Sequence, residues 1–568
     1  MKKLLAMALA AMMLLSACGQ TVQPESTTET TEGPTFPAPT AAPVADEILR
    51  DITGEIVDIL LDGQNITITG NGDGVYTSRD IVYYEDRTIY ESGNPYGEGE
   101  AWERHTAAEA AEHLVVNITA PGNYRISGKL DKGQIRIDLG EDAYDNPNAV
   151  VNLILNGTEV TCTVAPAILF RNVYECDGNW STDTATPDVD TTAAGANLIL
   201  AENTVNAVNG SHVAKVYKDK EGEKKLVKQD GAVYSYMSMN VYGPGALDIT
   251  ADNEGLDTEL HLTIFGGSIT IRSGNDGINT NEDGVSVTAI HGGNLRIMAG
   301  LDKEGDGIDS NGYLVIYGGT VVSAAHPAAD AGLDSDLGSF IHGGTVLALG
   351  SSMDWAESES GQVTMNLQFA LQQNAGSSIV IARRDGTVMF AYDPAMDEIL
   401  GENTRTYQGA IISCPHFIVG DSYEVFVGAT VSGQETSGIY DITSVIGFSG
   451  GRQMAYTGTD VMRRGPGGFM PGAGGQRPDG NFEMPEGMDP GQMPQGNRNP
   501  GQGDWTVPEG DWTMPEGDWN TPGGQMPGGP MPGGNFGGFG SMGTQGEPQT
   551  LFLMQDKVNF FSGLTPVQ

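Results

Sequence analysis

Ile290-His291-Gly292-Gly293-Asn294-Leu295-Arg296-Ile297 and, 26 residues on, Ile316-Tyr317-Gly318-Gly319-Thr320-Val321-Val322-Ser323 carry one pattern. An apolar residue and a ring precede a glycine pair, and a short alternating run follows. The same pattern recurs at Val241-Tyr242-Gly243, Ile264-Phe265-Gly266-Gly267 and Ile341-His342-Gly343-Gly344. The first glycines stand at 243, 266, 292, 318 and 343, steps of 23, 26, 26 and 25 residues. Period-two alternation after each pair means a strand with one inward face. One repeat cannot bury that face alone, but stacked repeats bury it against one another. Ile264, Ile290, Ile316 and Ile341 then form one inward column, and Ile269, Leu295, Val321 and Val346 another. A leucine-rich repeat would need its own Leu and Asn spacing, and a propeller longer four-strand units. The expected fold is all-β: a right-handed parallel β-helix over residues 115–369.

Working outward, residues 48–114 and 370–463 are strand-rich without the repeat and are expected to cap the two ends, as a solenoid requires. Residues 464–546 turn to Gly, Pro, Met, Gln and Asn, with near-copies at Gly503-Asp504-Trp505, Gly510-Asp511-Trp512 and Gly517-Asp518-Trp519. Such a composition buries no core and reads as a disordered segment. Residues 547–568 turn apolar again and are expected to return as a strand. At the other end, Lys2 and Lys3 precede an apolar stretch from Leu4 to Leu15. Leu15-Ser16-Ala17-Cys18 follows and resembles the lipobox of bacterial lipoproteins, so residues 1–18 read as an export signal with Cys18 as the lipidated residue. Residues 19–47 read as a tether. The location expected is the outer face of the cell membrane, held by lipid alone.

The chain has 568 residues, with Lys+Arg 29 against Asp+Glu 74 and a net charge of −45. That charge repels nucleic acid and anionic lipid and attracts divalent cations. A second repeated motif concentrates the acid: Gly255-Leu256-Asp257, Gly277-Ile278-Asn279, Gly307-Ile308-Asp309 and Gly332-Leu333-Asp334. Alignment yields two columns. One is Asp257, Asn279, Asp309 and Asp334; the other is Glu254, Asp276 and Asp306, broken by Ala331. Like charges 4 Å apart repel by about 1 kcal/mol in water and about 4 kcal/mol near a protein surface. A cation between them removes that cost. Ca²⁺ accepts carboxylate, amide and carbonyl oxygens, all present at these turns, whereas no Cys/His cluster accompanies them to suit Zn²⁺. The plainer alternative is that Asp and Asn serve the turns themselves. Cys162, Cys176 and Cys414 show no metal spacing, and either a Cys162–Cys176 bridge or free thiols would satisfy the sequence.

On these residues, together with Gly122-Asn123-Tyr124-Arg125-Ile126-Ser127-Gly128 and Leu153-Ile154-Leu155-Asn156-Gly157, the chain resembles a family of extracellular carbohydrate-binding domains. That family has a polysaccharide-lyase-like β-helix and is described for cellulose- and pectate-binding proteins of anaerobic bacteria. The resemblance runs from about residue 117 to 350. It implies Ca²⁺ at Asp257, Asp276, Asn279, Asp306, Asp309 and Asp334, and polysaccharide binding without catalysis.

The ring column Tyr242, Phe265, His291, Tyr317 and His342 alternates outward, where rings suit the apolar faces of sugars. Arg296 is expected beside it as a hydrogen-bond donor. The plainer reading is a ladder that only stabilises the fold. A lyase acting on acidic glycans is the enzymatic alternative. It needs a base beside cations, and Arg272, Arg296 and Lys303 form no clustered basic face in the sequence. A carboxylate-pair hydrolase and a structural adhesin with a protein partner complete the alternatives. The partner expected is a polysaccharide, and the chain a monomer.

Overall fold

The computed structural model describes residues 52–79, 81, 105, 107–213, 229–302, 304–399, 405–460 and 546–567. The expected signal, Cys18, the tether and the Trp-containing Gly/Pro stretch lie outside these residues. What is described is nearly all strand. Its helical content is the short Ala107–Ala111 and two 3₁₀ turns.

The repeat sets the architecture. Strands from successive repeats pair in parallel and in register, giving three ladders. The first runs from Ala246–Ala251 through Ser268–Ser273, Asn294–Met298 and Thr320–Ala324 to Thr345–Gly350. The second runs from Met239–Tyr242 through Leu262–Ile264, Val287–Ile290 and Tyr313–Ile316 to Gly338–Ile341. The third links Gly231–Ser235, Glu254–Thr258, Ile278–Thr280, Ile308–Ser310 and Asp334–Ser335. Each ladder sends one apolar column inward. Ile264, Ile290, Ile316 and Ile341 meet Ile269, Leu295, Val321 and Val346, and the third ladder adds Leu256, Ile278 and Ile308, all with no exposed surface. At about 2 kcal/mol for each such side chain, these columns are the main stabilising term.

The glycine pairs are required by close approach. Gly293, Gly319 and Gly344 sit at φ +91°, +84° and +87°. A Cβ at each would stand 2.6–2.7 Å from the carbonyl oxygen of the equivalent glycine one repeat earlier. No other residue suits both demands.

Parallel pairing begins earlier than residue 115, which moves the expected upstream boundary. Ile56–Gly63 pairs in parallel with Gly122–Leu130, and Leu114–Ile118 opens the third ladder against Gly133–Asp138. The antiparallel hairpin strand Asn65–Thr69 ends the stack on that side. Downstream, Tyr407–Ser413 pairs antiparallel with Thr345–Gly350 and covers the last edge of the first ladder. Thr364–Gln373, lying across the expected 369/370 boundary, joins Tyr407–Ser413 and the returning strand Val558–Pro566. These strands enclose a second core with Phe369, Tyr407, Tyr423, Phe552 and Phe561. Cys162, Cys176 and Cys414 are free thiols; burial pushes each up to about 12.

Candidate functional site

Two surfaces on the stack merit a functional reading: the acidic turns of the third ladder and the ring column of the second.

In the third ladder, backbone register places Tyr234, Asp257, Asn279, Asp309 and Asp334 one above another. The preceding turn brings Glu254, Asp276 and Asp306 into a parallel column. Asp306 N–H donates to Asp276 Oδ1 at 2.7 Å, and Ala331 N–H to Asp306 Oδ1 at 2.5 Å. One carboxylate oxygen of each therefore braces the next repeat, which is the turn-serving role. The remaining oxygens are crowded by charge. Burial, and then neighbouring carboxylates, push Asp276 up to about 7 and Asp306 and Asp309 up to about 8. Glu254 and Asp257 are raised well above the carboxylate range, burial first and neighbouring carboxylates next.

Three oxygens in this cluster have no hydrogen-bond partner although buried: Glu254 Oε2, Asp257 Oδ2 and Asn279 Oδ1. The other atoms of these groups are engaged, with Asn279 Nδ2 on Glu254 Oε1 at 3.2 Å and Asn281 Nδ2 on Asp257 Oδ1 at 2.7 Å. A buried acceptor left without a donor costs about 1–3 kcal/mol, more when charged. This donor-poor, oxygen-rich cluster has the chemistry of a hard cation's ligand set. Among the described residues, no three side chains of His, Cys, Asp or Glu form a compact metal cluster. A cation here would draw on amide and backbone oxygens as well. Two members escape the sequence columns. Asp330, beside the break at Ala331, opposes Asp276 and Asp306, and Asp230 opposes Glu254 and Asp257. A one-residue slip in the repeat hides Asp330 from alignment.

The second ladder stacks its rings. Centroids are 4.6 Å apart for Tyr242–Phe265, 5.1 Å for Phe265–His291, 4.6 Å for His291–Tyr317 and 5.5 Å for Tyr317–His342. Interplanar angles are 6°, 17° and 15° over the first three pairs and 31° at the last. Its exposure is uneven: Tyr242 and Phe265 are buried, His291 is half-buried, and Tyr317 and His342 are exposed. Residues 173–195 lie as a strap on the outward face of this ladder. Thr191 Oγ1 bonds Asn240 Oδ1 and Thr263 Oγ1, both at 2.7 Å, and Val189 packs on Val287, Ala289 and Val315. Only the downstream end of the column meets solvent. There Tyr313 and Phe340, centroids 6.3 Å apart, share the outward face with Tyr317 and His342. They alternate outward in the same strands, a signal hidden because neither falls in the column beside the glycine pairs.

Arg296 is the expectation that geometry corrects. It is 7% exposed and pairs with the carboxylate of Asp397 in the downstream body. That carboxylate also accepts from Ile399 N–H at 2.9 Å and Tyr392 Oη at 3.3 Å. The outward face of the first ladder carries Met298, Val322 and Leu347 in the second core, so Arg296 is enclosed and does not border the rings.

Residues 112–185 and 180–394, together about half of the chain, match a family model described as a carbohydrate-binding domain-containing protein. A curated protein of the same description from Acetivibrio thermocellus is 30% identical over 159 residues, covering 28% of this chain and 45% of that protein. The match thus spans less than half the relative's length. A solved polysaccharide lyase-like protein from C. thermocellum, a gadolinium derivative, is 21% identical, with a TM-score of 0.32 over 51% of this chain and 93% of that one.

Proposed function

We propose that this chain is a lipid-anchored surface protein that binds polysaccharide without cleaving it, on a right-handed parallel β-helix stiffened by Ca²⁺. The ring column carries the reading. Five rings stand in register with their faces stacked on one another, so the column turns ring edges outward at the spacing of stacked strands and ends at the exposed Tyr317 and His342, with the half-buried Tyr313 and Phe340 beside them. The apolar ring surface at that end suits the apolar face of a sugar, and the carbohydrate-binding match over the same repeats agrees with it. The repeat period and three parallel ladders support the β-helix, and the export signal with Cys18 supports the anchor.

Ca²⁺ would be held by Glu254, Asp257 and Asn279, and further along by Asp276, Asp306, Asp309 and Asp334. Its contribution is charge neutralisation within a crowded acidic column. The chain's own residues do the rest: strand register aligns the ligands, and the second ladder presents the rings. Cellulose-like or pectin-like polymers are the glycans proposed.

Residues 19–568, incubated with insoluble cellulose and with polygalacturonate, with Ca²⁺ or with chelator, test the proposal. Retention without unsaturated uronide product is expected, weakened by chelator. Product would make the chain a lyase. Neither retention nor product would leave the adhesin. Within this assay, Tyr317→Ala is expected to lower retention about tenfold while leaving the fold intact, since the ring is exposed.

A further inference from the structure

The open end of the ring column carries a cation that the repeat does not supply. Lys557 immediately precedes the returning strand Val558–Pro566, and its backbone is pinned. Lys557 O accepts from Thr364 N–H at 2.7 Å, and its own N–H donates to Asp556 Oδ1 at 2.8 Å. Asn559 Oδ1 accepts from Gln555 N–H at 2.8 Å and Asp556 N–H at 3.2 Å, which closes the turn, and Val558 is buried in the ladder core. One short segment holds both Lys557 and the last ring of the column. Gly361 N–H donates to His342 Nδ1 at 3.0 Å, three residues before Thr364. Three residues span no more than about 11 Å, so the lysine side chain has little distance to cover. Its charge does reach the ring: burial first, and the Lys557 ammonium next, hold His342 below the usual histidine range.

That charge is not taken up within the chain. The described lysines are Lys129, Lys132 and Lys557. Lys129 lies 2.8 Å from Glu159 and Lys132 2.5 Å from Glu112. Lys557 is exposed and, among the described residues, its ammonium pairs with no carboxylate. With Lys+Arg 29 against Asp+Glu 74 in the chain, an ammonium left open beside two exposed rings is available to an anion from outside. His342 adds a second donor: with Nδ1 accepting from Gly361, its neutral ring carries the proton on Nε2. Further up the column the sign reverses, since the Asp188 charge bears on His291 and Tyr317.

We infer that Lys557 is the specificity-determining residue at the open end of the ring column: its ammonium takes the carboxylate of a uronate packed on Tyr317 and His342, so that this end selects an acidic glycan over a neutral one. The inference rests on the glycan-binding reading and names the sugar class for it. Tyr317 and His342 give apolar contact to either class, and only the acidic sugar gains the ammonium as well. The gain is modest, because an exposed ion pair is weak in water and is screened over about 8 Å at physiological salt.

Calorimetric titration of residues 19–568 with hexagalacturonate and with cellohexaose, at low ionic strength and one fixed Ca²⁺ concentration, tests it. Lys557→Gln is expected to weaken hexagalacturonate about threefold, with cellohexaose affinity and the thermal midpoint unchanged. Lys557→Arg keeps the charge and is expected to match wild type. The chain's net charge acts almost equally on wild type and Lys557→Gln, so their ratio isolates this ammonium. That ratio should fall toward one at about 1 M salt, where screening sets in within about 3 Å. Unchanged hexagalacturonate affinity in Lys557→Gln overturns the role, as does an equal loss for both sugars, which would trace to the turn. A wild-type chain that binds cellohexaose and not hexagalacturonate also overturns it and leaves the glycan-binding reading standing. One that binds neither sugar removes both. Should Lys557→Gln lower the thermal midpoint, Lys557→Met, which keeps the apolar stem, and Lys557→Arg decide the matter.

Discussion

Asp257 shows how one side chain separates a structural turn from a cation site. It is fully buried, with Oδ2 unpartnered, and burial first, then repulsion from Asp230 and Glu259, makes its ionised form unfavourable without a counter-ion. Asp257→Asn removes that repulsion and also a ligand. In chelator the variant should therefore melt no lower than wild type, whereas the stabilisation by Ca²⁺ should shrink. Wild type should gain about 2.7 kcal/mol at a hundredfold excess of Ca²⁺ over its dissociation constant. Thermal melts with Ca²⁺ and with chelator read both effects, and an unaltered Ca²⁺ response in Asp257→Asn would reassign the turn to hydrogen bonding alone. His113 makes a pH prediction at the same scale. It is buried, with Nδ1 2.9 Å from Glu109 O and Nε2 accepting from Thr163 N–H at 3.2 Å, which requires the neutral ring. Burial lowers its pKa below the ordinary value. A lowered folded pKa means that the contribution is present above about pH 6.5 and is lost as pH falls through the folded value. His113→Phe should flatten part of the fall in melting temperature between about pH 7 and 5.

The glycine turns are where sterics act on whole elements. At Gly319, φ is +84° and a Cβ would lie 2.7 Å from Gly293 O. Alanine there meets both an unfavourable backbone region and the repeat below, so a loss of about 3 kcal/mol is expected. Gly178 has ordinary φ, and no neighbouring atom lies within 4 Å of where a Cβ would stand, so Gly178→Ala is the control and should be near neutral. Urea midpoints for the two variants check the contrast. Equal midpoints would mean that the ladders shift apart easily, against the close register seen between Asn294–Met298 and Thr320–Ala324.

For the whole molecule, Arg296 and Asp397 connect the stacked ladders to the downstream body. Both side chains are buried, so removing either leaves a charge unpaired at a cost of about 3–5 kcal/mol. Arg296→Ala should lower stability by that amount and split the unfolding transition, because the second core draws on Met298, Val322 and Leu347 from the ladder face. Differential scanning calorimetry would show the split. Glycan retention by the folded variant should be unchanged, since Arg296 lies away from the exposed rings.

Much of the stack was legible in the chain itself. The 23–26-residue period, the alternation around it and the glycine pairs are local, and stacking equivalent residues follows from the need to bury one apolar face. Register then aligned the acidic columns and the ring column without further information. The strap, the enclosure of Arg296 and the place of Asp330 belong to tertiary structure alone. Thr191 meets Thr263 across 72 residues and Arg296 meets Asp397 across 101, distances at which no periodicity links the partners. Alternation tells which way a side chain points from its own strand. What later covers that outward face depends on segments outside the repeat, and so does the number of rings left for a sugar.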